Sequence, residues 1–182
     1  MIVQNSEMDS TLAEKLQLSV RGVGQTFQTK RGISFSRLPA WTYESGQAGA
    51  NIQKMAERLS GARFEIETDA TQITFTYHSL RDSSPEFNWV AGPSTISVTT
   101  GDYEESISHS NGDLRVWKGF EVAEIIAGED SVAVFNLPAS TTSRLVQIWL
   151  PQNCPIEVIN LEANAEWIPA QPSRHPKWVH YG

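Results

Sequence analysis

One short segment carries the residue types of nucleophilic catalysis. Gly101-Asp102 is followed by Ser106-Ile107-Ser108-His109, which places serine hydroxyls beside an imidazole. A nucleophilic serine needs a sharp turn between a strand and a helix, and a base within hydrogen-bond reach. Here three residues separate Asp102 from Ser106, and polar and apolar residues alternate, which favours a polar hairpin. We therefore predict no catalytic residue in this segment.

The histidines and the cysteine are scattered along the sequence. His78, His109, His175 and His180 form no pair four residues apart and no Cys-x-x-Cys context, the patterns typical of zinc sites. Cys154 has no second cysteine with which to form an internal disulfide. Its sequence neighbours give no reason for a lowered thiol pKa, so we expect a buried or loop thiol. We predict no metal site and no cofactor.

The tryptophans are better candidates for ligand contact. The chain has six, which is many for 182 residues. Trp89 lies in the turn-rich stretch 83–92, where an aromatic face could stack on a sugar ring or another polar ligand. Core packing, or burial against another domain, would explain Trp89 as well. Trp149 alternates with Leu145, which favours a place in the core.

Two amide side chains complete the set of candidate ligand-binding residues. Gln152 and Asn153 follow a predicted strand and begin a turn that contains proline. Their amides could contact a ligand or a partner domain, and local capping of the turn explains them equally well. The candidate ligand-binding residues are Trp89, Gln152 and Asn153.

A period of two dominates the elements that must position these residues. Apolar or aromatic residues alternate with Thr, Ser and Glu, and turns rich in Gly, Asp, Asn and Pro separate the runs. The alternating sets are Phe64 and Ile66; Ile73, Phe75 and Tyr77; Ile96 and Val98; Val132 and Val134; Leu145, Gln147 and Trp149; Ile156 and Val158. Strands about ten residues apart, each with one apolar half-face, predict an antiparallel β-sandwich. The fold class is all-β, of a jelly-roll type similar to carbohydrate-binding modules.

Two segments have the composition of helices. Ser10 and Thr11 precede Leu12 and Leu16, which predicts a short N-terminal helix. Residues 53–59 (QKMAERL) favour a helix by composition, but they lie between sheet-like runs, and we predict a strand there.

The chain divides into three parts. Residues 1–19 form an N-terminal segment, and residues 20–168 form the sandwich domain. Residues 169–182 change character: three prolines within eight residues indicate an extended linker, and the β-like run WVHYG follows it.

Composition excludes several classes of protein. The chain is 40% hydrophobic and 19% charged, which is typical of a globular domain, and its net charge is −7. An acidic chain has little affinity for nucleic acid or for an anionic membrane surface. Residues 1–17 lack the pattern of a signal peptide, and no apolar run approaches the roughly 20 residues of a membrane span. We therefore expect a cytoplasmic protein.

Several motifs resemble one group of enzymes. The runs that carry the resemblance are VQIWLPQN at 146–153, PIEV at 155–158, PAQP at 169–172, WVHYG at 178–182, RLPAW at 37–41 and FEIETDAT at 64–71. Together they resemble the N-terminal region of two-domain SGNH hydrolases, the GDSL-type esterases, in which a β-sandwich precedes an α/β hydrolase domain.

The resemblance implies that the catalytic residues are not in this sequence. In such enzymes WVHYG is the first strand of the hydrolase domain, and the nucleophile turn begins at its last glycine, here Gly182. The nucleophilic Ser, the oxyanion donors and the Asp-x-x-His block would all follow Gly182. We therefore expect this chain to be a non-catalytic domain that ends just before its SGNH hydrolase domain and is inactive alone. It would flank an ester-cleaving site and shape the access of a carbohydrate or acyl-ester ligand.

Two alternatives stay open. The chain could be a free-standing carbohydrate-binding module that holds its ligand by aromatic stacking. It could also be a truncated gene product without activity of its own.

Overall fold

The computed structural model describes residues 10–44, 46, 49–119 and 121–172. Helix α1 spans Ser10–Ser19, which confirms the predicted N-terminal helix. The predicted strand at 178–182, and the linker from residue 173 onward, lie outside the described residues. None of the helices in the described ranges is long and apolar enough to cross a bilayer.

Strands make up most of the described chain. The helices after α1 are short: α2 is Ala40–Glu44, α3 is Ala50–Ala56, and a 3-10 turn is Pro85–Phe87. The strands are β1 Val20–Arg21, β2 Gln25–Gln28, β3 Ile33–Ser36, β4 Arg63–Thr68, β5 Gln72–Ser84, β6 Trp89–Val90, β7 Ser94–Thr100, β8 Tyr103–His109, β9 Asp113–Lys118, β10 Glu121–Ile126, β11 Ser131–Asn136, β12 Arg144–Trp149, β13 Ile156–Ala163 and β14 Trp167–Pro169.

These strands form two sheets. The smaller sheet has the order β1-β4-β12-β7-β8, and β14 also pairs with β4. The larger sheet has the order β10-β9-β5-β13-β3-β2, and β11 and β6 also pair with β5. The pairing is antiparallel except between β5 and β9, which are parallel. The prediction of an all-β antiparallel sandwich with a short N-terminal helix is confirmed.

Aromatic residues from both sheets form the centre of the core. Phe35 packs edge-on against Phe64, with ring centroids 5.7 Å apart. The rings of Phe64 and Phe75, and those of Phe75 and Tyr77, pack in a tilted arrangement with centroids 5.9 and 5.7 Å apart. All four side chains are at most 1% exposed. Such pairs contribute about 0.5–1.5 kcal/mol each beyond the burial of their area. Since Phe64 belongs to the smaller sheet and the others to the larger, these contacts join the two sheets.

The predicted inner face of β12 is wrong. Val146 and Ile148 are fully buried, whereas Leu145 is 46% exposed and Trp149 is half-buried on the outer face. Every residue of this strand but Gln147 and Arg144 is apolar or aromatic, so alternation alone does not determine which half-face turns inward. Trp149 is therefore not a core residue.

The same correction applies to β11. Val132 and Val134 are 51% and 39% exposed, and their neighbours Ala133 and Phe135 are fully buried. The strand reads SVAVFN, which offers an apolar residue on both faces, and packing against the opposite sheet selects the larger aromatic ring.

Residues 53–59 are not a strand. They overlap α3, and Ala56 and Leu59 are buried three residues apart, as on one side of a helical turn. Lys, Met, Ala and Glu favour the helix over the strand. The Ala56 carbonyl accepts a hydrogen bond from Arg37 N at 2.9 Å, which fixes the end of α3 beside β3.

Candidate functional site

A groove with a volume of about 240 Å³ opens on the outer face of the smaller sheet. We call it the Trp149 groove. Its lining residues are Pro93, Thr95, Ser97, Trp149, Leu150, Gln152 and Asn153. A space of this size approaches the range of small-molecule sites.

Strand register places the groove residues side by side. β7 and β12 are antiparallel neighbours in which Ser97 lies opposite Trp149, and Thr95 is on the same face of β7 because side chains alternate. The turn after β12 then brings Gln152 and Asn153 to the end of the groove. Asn153 Nδ2 donates to the carbonyl oxygens of Gly92 at 3.1 Å and Pro93 at 3.0 Å, which ties this turn to the start of β7.

The indole of Trp149 is fixed from two directions. Its Nε1 donates to Thr99 Oγ1 at 3.1 Å, and the guanidinium carbon of Arg63 lies 4.8 Å from the ring centroid. A cation over an indole at this distance is attracted by the negative face of the ring. The ring is therefore held in one orientation before any ligand arrives.

A buried carboxylate holds Arg63 in turn. Glu65 is 8% exposed and accepts from Arg63 Nε at 2.8 Å and Gln147 Nε2 at 3.1 Å, and Arg21 Nε lies 3.2 Å away. Burial by itself raises the pKa of Glu65, but the hydrogen bonds from Gln147 and Arg63 and the charges of Arg63 and Arg21 outweigh it and lower the pKa. Glu65 is thus an anion at neutral pH, and it anchors the cation beside Trp149.

Hydroxyl pairs extend from the groove across β7 and β8. Thr95 Oγ1 lies 2.8 Å from Ser108 Oγ, and Ser97 Oγ lies 2.7 Å from Ser106 Oγ. In each pair, one hydroxyl proton forms the hydrogen bond between the two side chains. The other proton and the remaining lone pairs are available to a ligand. These pairs can both donate to and accept from a ligand rich in hydroxyl or carbonyl oxygens.

The polar hairpin predicted for Ser106 to His109 is confirmed. β7 and β8 pair along their length and meet in a turn at Gly101, whose φ of 57° lies in the left-handed region that glycine favours. Ser106 and Ser108 therefore belong to the hydroxyl pairs and to no turn between a strand and a helix.

The structure brings together only part of the predicted set. Gln152 and Asn153 share the groove, whereas Trp89 lies on β6, opposite Ser84 in the larger sheet, and is 43% exposed. Sequence reasoning missed Trp149, which it assigned to the core. The available signal was the series of Ser and Thr at alternate positions of β7, which gives that strand a polar outer face.

The side chains of His78 and His109 do not line the Trp149 groove. His78 is fully buried, with Nδ1 2.8 Å from Asp130 Oδ1 and Nε2 3.0 Å from Asp113 Oδ1. His109 Nδ1 lies 3.2 Å from the Tyr77 hydroxyl. Within the described ranges, neither ring forms a hydrogen bond to a serine hydroxyl or to the Cys154 thiol. Burial raises the pKa of that thiol to about 12.

The fold and the groove define a two-sheet antiparallel β-sandwich with a polar, aromatic-lined outer face. A salicylyl-acyltransferase from a tetracycline biosynthetic pathway has a similar structure, with a TM-score of 0.62 and 16% identity over 85% of this chain and 39% of that chain. A protein of Bacteroides ovatus designated a GDSL-like lipase matches with a TM-score of 0.50 and 11% identity, over 87% of this chain and 42% of that chain. The chain thus spans about two fifths of the length of these two proteins. No protein-family model and no curated protein sequence matches it.

Proposed function

We propose that this chain is the non-catalytic sandwich domain of a GDSL-type ester hydrolase or acyltransferase. One observation carries the proposal: the similarity to the two acyl-group enzymes covers 85% and 87% of this chain but only 39% and 42% of theirs. The shared part is the sandwich, and the remainder of those proteins leaves room for a separate catalytic domain. The sequence motifs that resemble the SGNH domain junction support the same assignment.

The outer face of the smaller sheet suits a position beside a catalytic domain. Ile168 on β14 and Leu145 on β12 both lie opposite Glu67 of β4, so they share this face, and they are 49% and 46% exposed. Two exposed aliphatic side chains on one face offer a contact for a second domain. Trp149 lies four residues further along β12 on the same face, about 13 Å away at the rise of a strand. A domain packed on Leu145 and Ile168 would leave the Trp149 groove at its border, where it shapes substrate access.

The coding sequence after codon 182 gives the most direct test. We expect a nucleophile turn within a few residues of Gly182 and a distant Asp-x-x-His block. A stop codon at that point would contradict the two-domain proposal.

Activity measurements on the chain alone give a second test. We expect no hydrolysis of short-chain nitrophenyl esters above that of a Ser108→Ala/His109→Ala double variant, because neither His78 nor His109 forms a hydrogen bond to a serine hydroxyl among the described residues. Turnover that disappears in the double variant would place the active site in the β7–β8 hairpin and refute the proposal.

A carbohydrate-binding module is the second candidate function. It is favoured by the combination of a fixed indole with rows of hydroxyls in the Trp149 groove, since sugars offer an apolar ring face and many hydroxyls. Binding of the isolated chain to a glycan array, lost in Trp149→Ala and retained in Trp89→Ala, would support this candidate. Loss in Trp89→Ala alone would instead support the original prediction for Trp89.

A further inference from the structure

A second polar cluster lies on the outer face of the larger sheet, away from the Trp149 groove. Asp82 of β5 is 1% exposed and accepts hydrogen bonds from Arg115 Nε at 2.9 Å and from Trp117 Nε1 at 2.7 Å. Arg58, which follows α3, lies 3.8 Å from Asp82. Lys54 of α3 places its Nζ 3.2 Å from the centroid of the Trp117 ring. We call Lys54, Arg58, Asp82, Arg115 and Trp117 the Trp117 cluster.

The cluster holds more positive charge than its own carboxylates neutralise. Three cations face Asp82 and the half-exposed Glu57, whose Oε2 is 3.6 Å from Arg115 Nη1. Burial lowers the pKa of Lys54, and the nearby charges of Arg115 and Arg58 lower it further against the opposing effects of Asp82 and Glu57. The cluster thus carries a local excess of one positive charge, although the net charge of the chain is −7.

Some of the donors in this cluster remain unused. Arg58 Nε is buried and has no hydrogen-bond partner among the described residues. That atom has almost no accessible surface, so the donors that a phosphate can reach are the outer guanidinium nitrogens of Arg58, whose side chain is 25% exposed, and the ammonium group of the partly exposed Lys54. Arginine binds phosphate through its planar guanidinium fork, and lysine binds it as a point charge.

An apolar margin adjoins the cations. Across the β9–β10 pair, Val122 lies opposite Trp117 and Ile125 opposite Arg115, so both side chains are on the face of the cluster. Val122 is 38% exposed and Ile125 is 59% exposed. A ligand that carries an apolar group beside its anionic group would contact both parts of this surface.

We propose that Lys54, Arg58 and Arg115 bind a phosphate group beside Trp117. The phosphate is either free inorganic phosphate or the terminal group of a small phosphate ester whose apolar part contacts Val122. This site is distinct from the Trp149 groove, and its existence does not depend on the proposed esterase relationship.

The test follows the indole N–H resonance of Trp117 by ¹H–¹⁵N NMR, assigned with a Trp117→Phe variant. Inorganic phosphate is titrated into the whole chain at constant ionic strength, with chloride as the replaced anion. We expect a saturable shift of this resonance. Arg58→Gln and Lys54→Gln should each weaken binding about tenfold, because each removes one charge-assisted donor. Lys118→Gln removes the same charge from the opposite face of β9 and should leave the affinity within about twofold.

The two probes distinguish the source of the phosphate. Tighter binding of phenyl phosphate than of inorganic phosphate supports an ester ligand that contacts Val122, and equal affinities support free phosphate. Lys54→Gln keeps every hydrogen bond to Asp82, so it is informative even where Arg58→Gln fails to fold. The proposal is overturned where phosphate leaves the Trp117 resonance unchanged, or where Lys54→Gln binds as tightly as Lys118→Gln.

Discussion

Replacement of Asp82 by alanine should destabilise the sandwich strongly. The Asp82 side chain is 2% exposed and bonds to Arg115 through both oxygens, at 2.9 and 3.3 Å. It also accepts the Trp117 Nε1–H at 2.7 Å. Asp82→Ala leaves a guanidinium and an indole donor that are largely shielded from water and have lost their main acceptor.

The expected loss follows from the burial of the partners. Removing one member of a buried ion pair costs about 3–5 kcal/mol. Arg115 is 16% exposed and keeps Glu57 at 3.6 Å, so it recovers part of its solvation. We therefore expect the lower end, about 3 kcal/mol in the free energy of unfolding. For a domain of this size, about 3 kcal/mol lowers the midpoint of thermal unfolding by roughly 6–12 °C.

The assay is urea unfolding, followed by circular dichroism, of the wild type, Asp82→Ala and the matched control Glu57→Ala. Glu57 pairs with the same Arg115, but its side chain is 44% exposed. An exposed pair contributes only about 0–1 kcal/mol, so Glu57→Ala should change stability little.

A comparable loss in Asp82→Ala and Glu57→Ala would refute the argument, since burial would then not decide the strength of the pair. A double variant that also carries Arg115→Leu supplies a second check. Because it removes the stranded guanidinium, we expect it to be more stable than Asp82→Ala alone. A fully additive loss would contradict the account.

Three further outcomes are expected. Burial tends to raise the pKa of Asp113, but the hydrogen bond from Gly128 N–H and the contact with His78 lower it overall. Its stabilisation is therefore present above the ordinary pKa of an aspartate and is lost as pH falls through the folded-state value. The urea midpoints of Asp113→Asn and the wild type should accordingly differ at neutral pH and converge as the pH falls below the ordinary pKa of an aspartate. The Cys154 thiol, buried and with its pKa raised to about 12, should react with a disulfide reagent only after unfolding, and rapid reaction of the native chain would contradict its burial. Gly112→Ala should lower the midpoint of thermal unfolding by several degrees, because Gly112 has a φ of 91° and an added Cβ would lie 2.2 Å from the Ser79 carbonyl oxygen; an unchanged midpoint would count against that backbone geometry.

The strands of the larger sheet could be predicted from local alternation wherever only one half-face was apolar. Ile73, Phe75 and Tyr77 alternate with Thr and His, and all three are fully buried. A residue pattern of this kind leaves one way to bury apolar area, so it fixes the inner face before the partner sheet is known.

Alternation failed where both half-faces were apolar. In β12 the pair Val146 and Ile148 competes with Leu145 and Trp149, and only contact with the opposite sheet selects the first pair. This error placed Trp149 in the core and removed it from the list of candidate ligand contacts, whereas the structure places it in the lining of the groove.

Local composition also conflicted with position in residues 53–59. The helix propensity of this segment predicted the correct structure, and the expectation of a strand was wrong. Its buried residues, Ala56 and Leu59, are three positions apart, which suits a helical turn and not a strand.

The sequence by itself thus determined the all-β class, the N-terminal helix, the hairpin at Gly101 and the polar turn at Gln152 and Asn153. Each of these depends on interactions between residues close in the chain: alternation, capping and turn conformation. Only the tertiary structure decided that Asn153 lies beside β7, that Trp149 faces outward, and that Lys54 meets Trp117. Those contacts join segments dozens of residues apart, and they depend on strand order and register, which no local pattern in the sequence encodes.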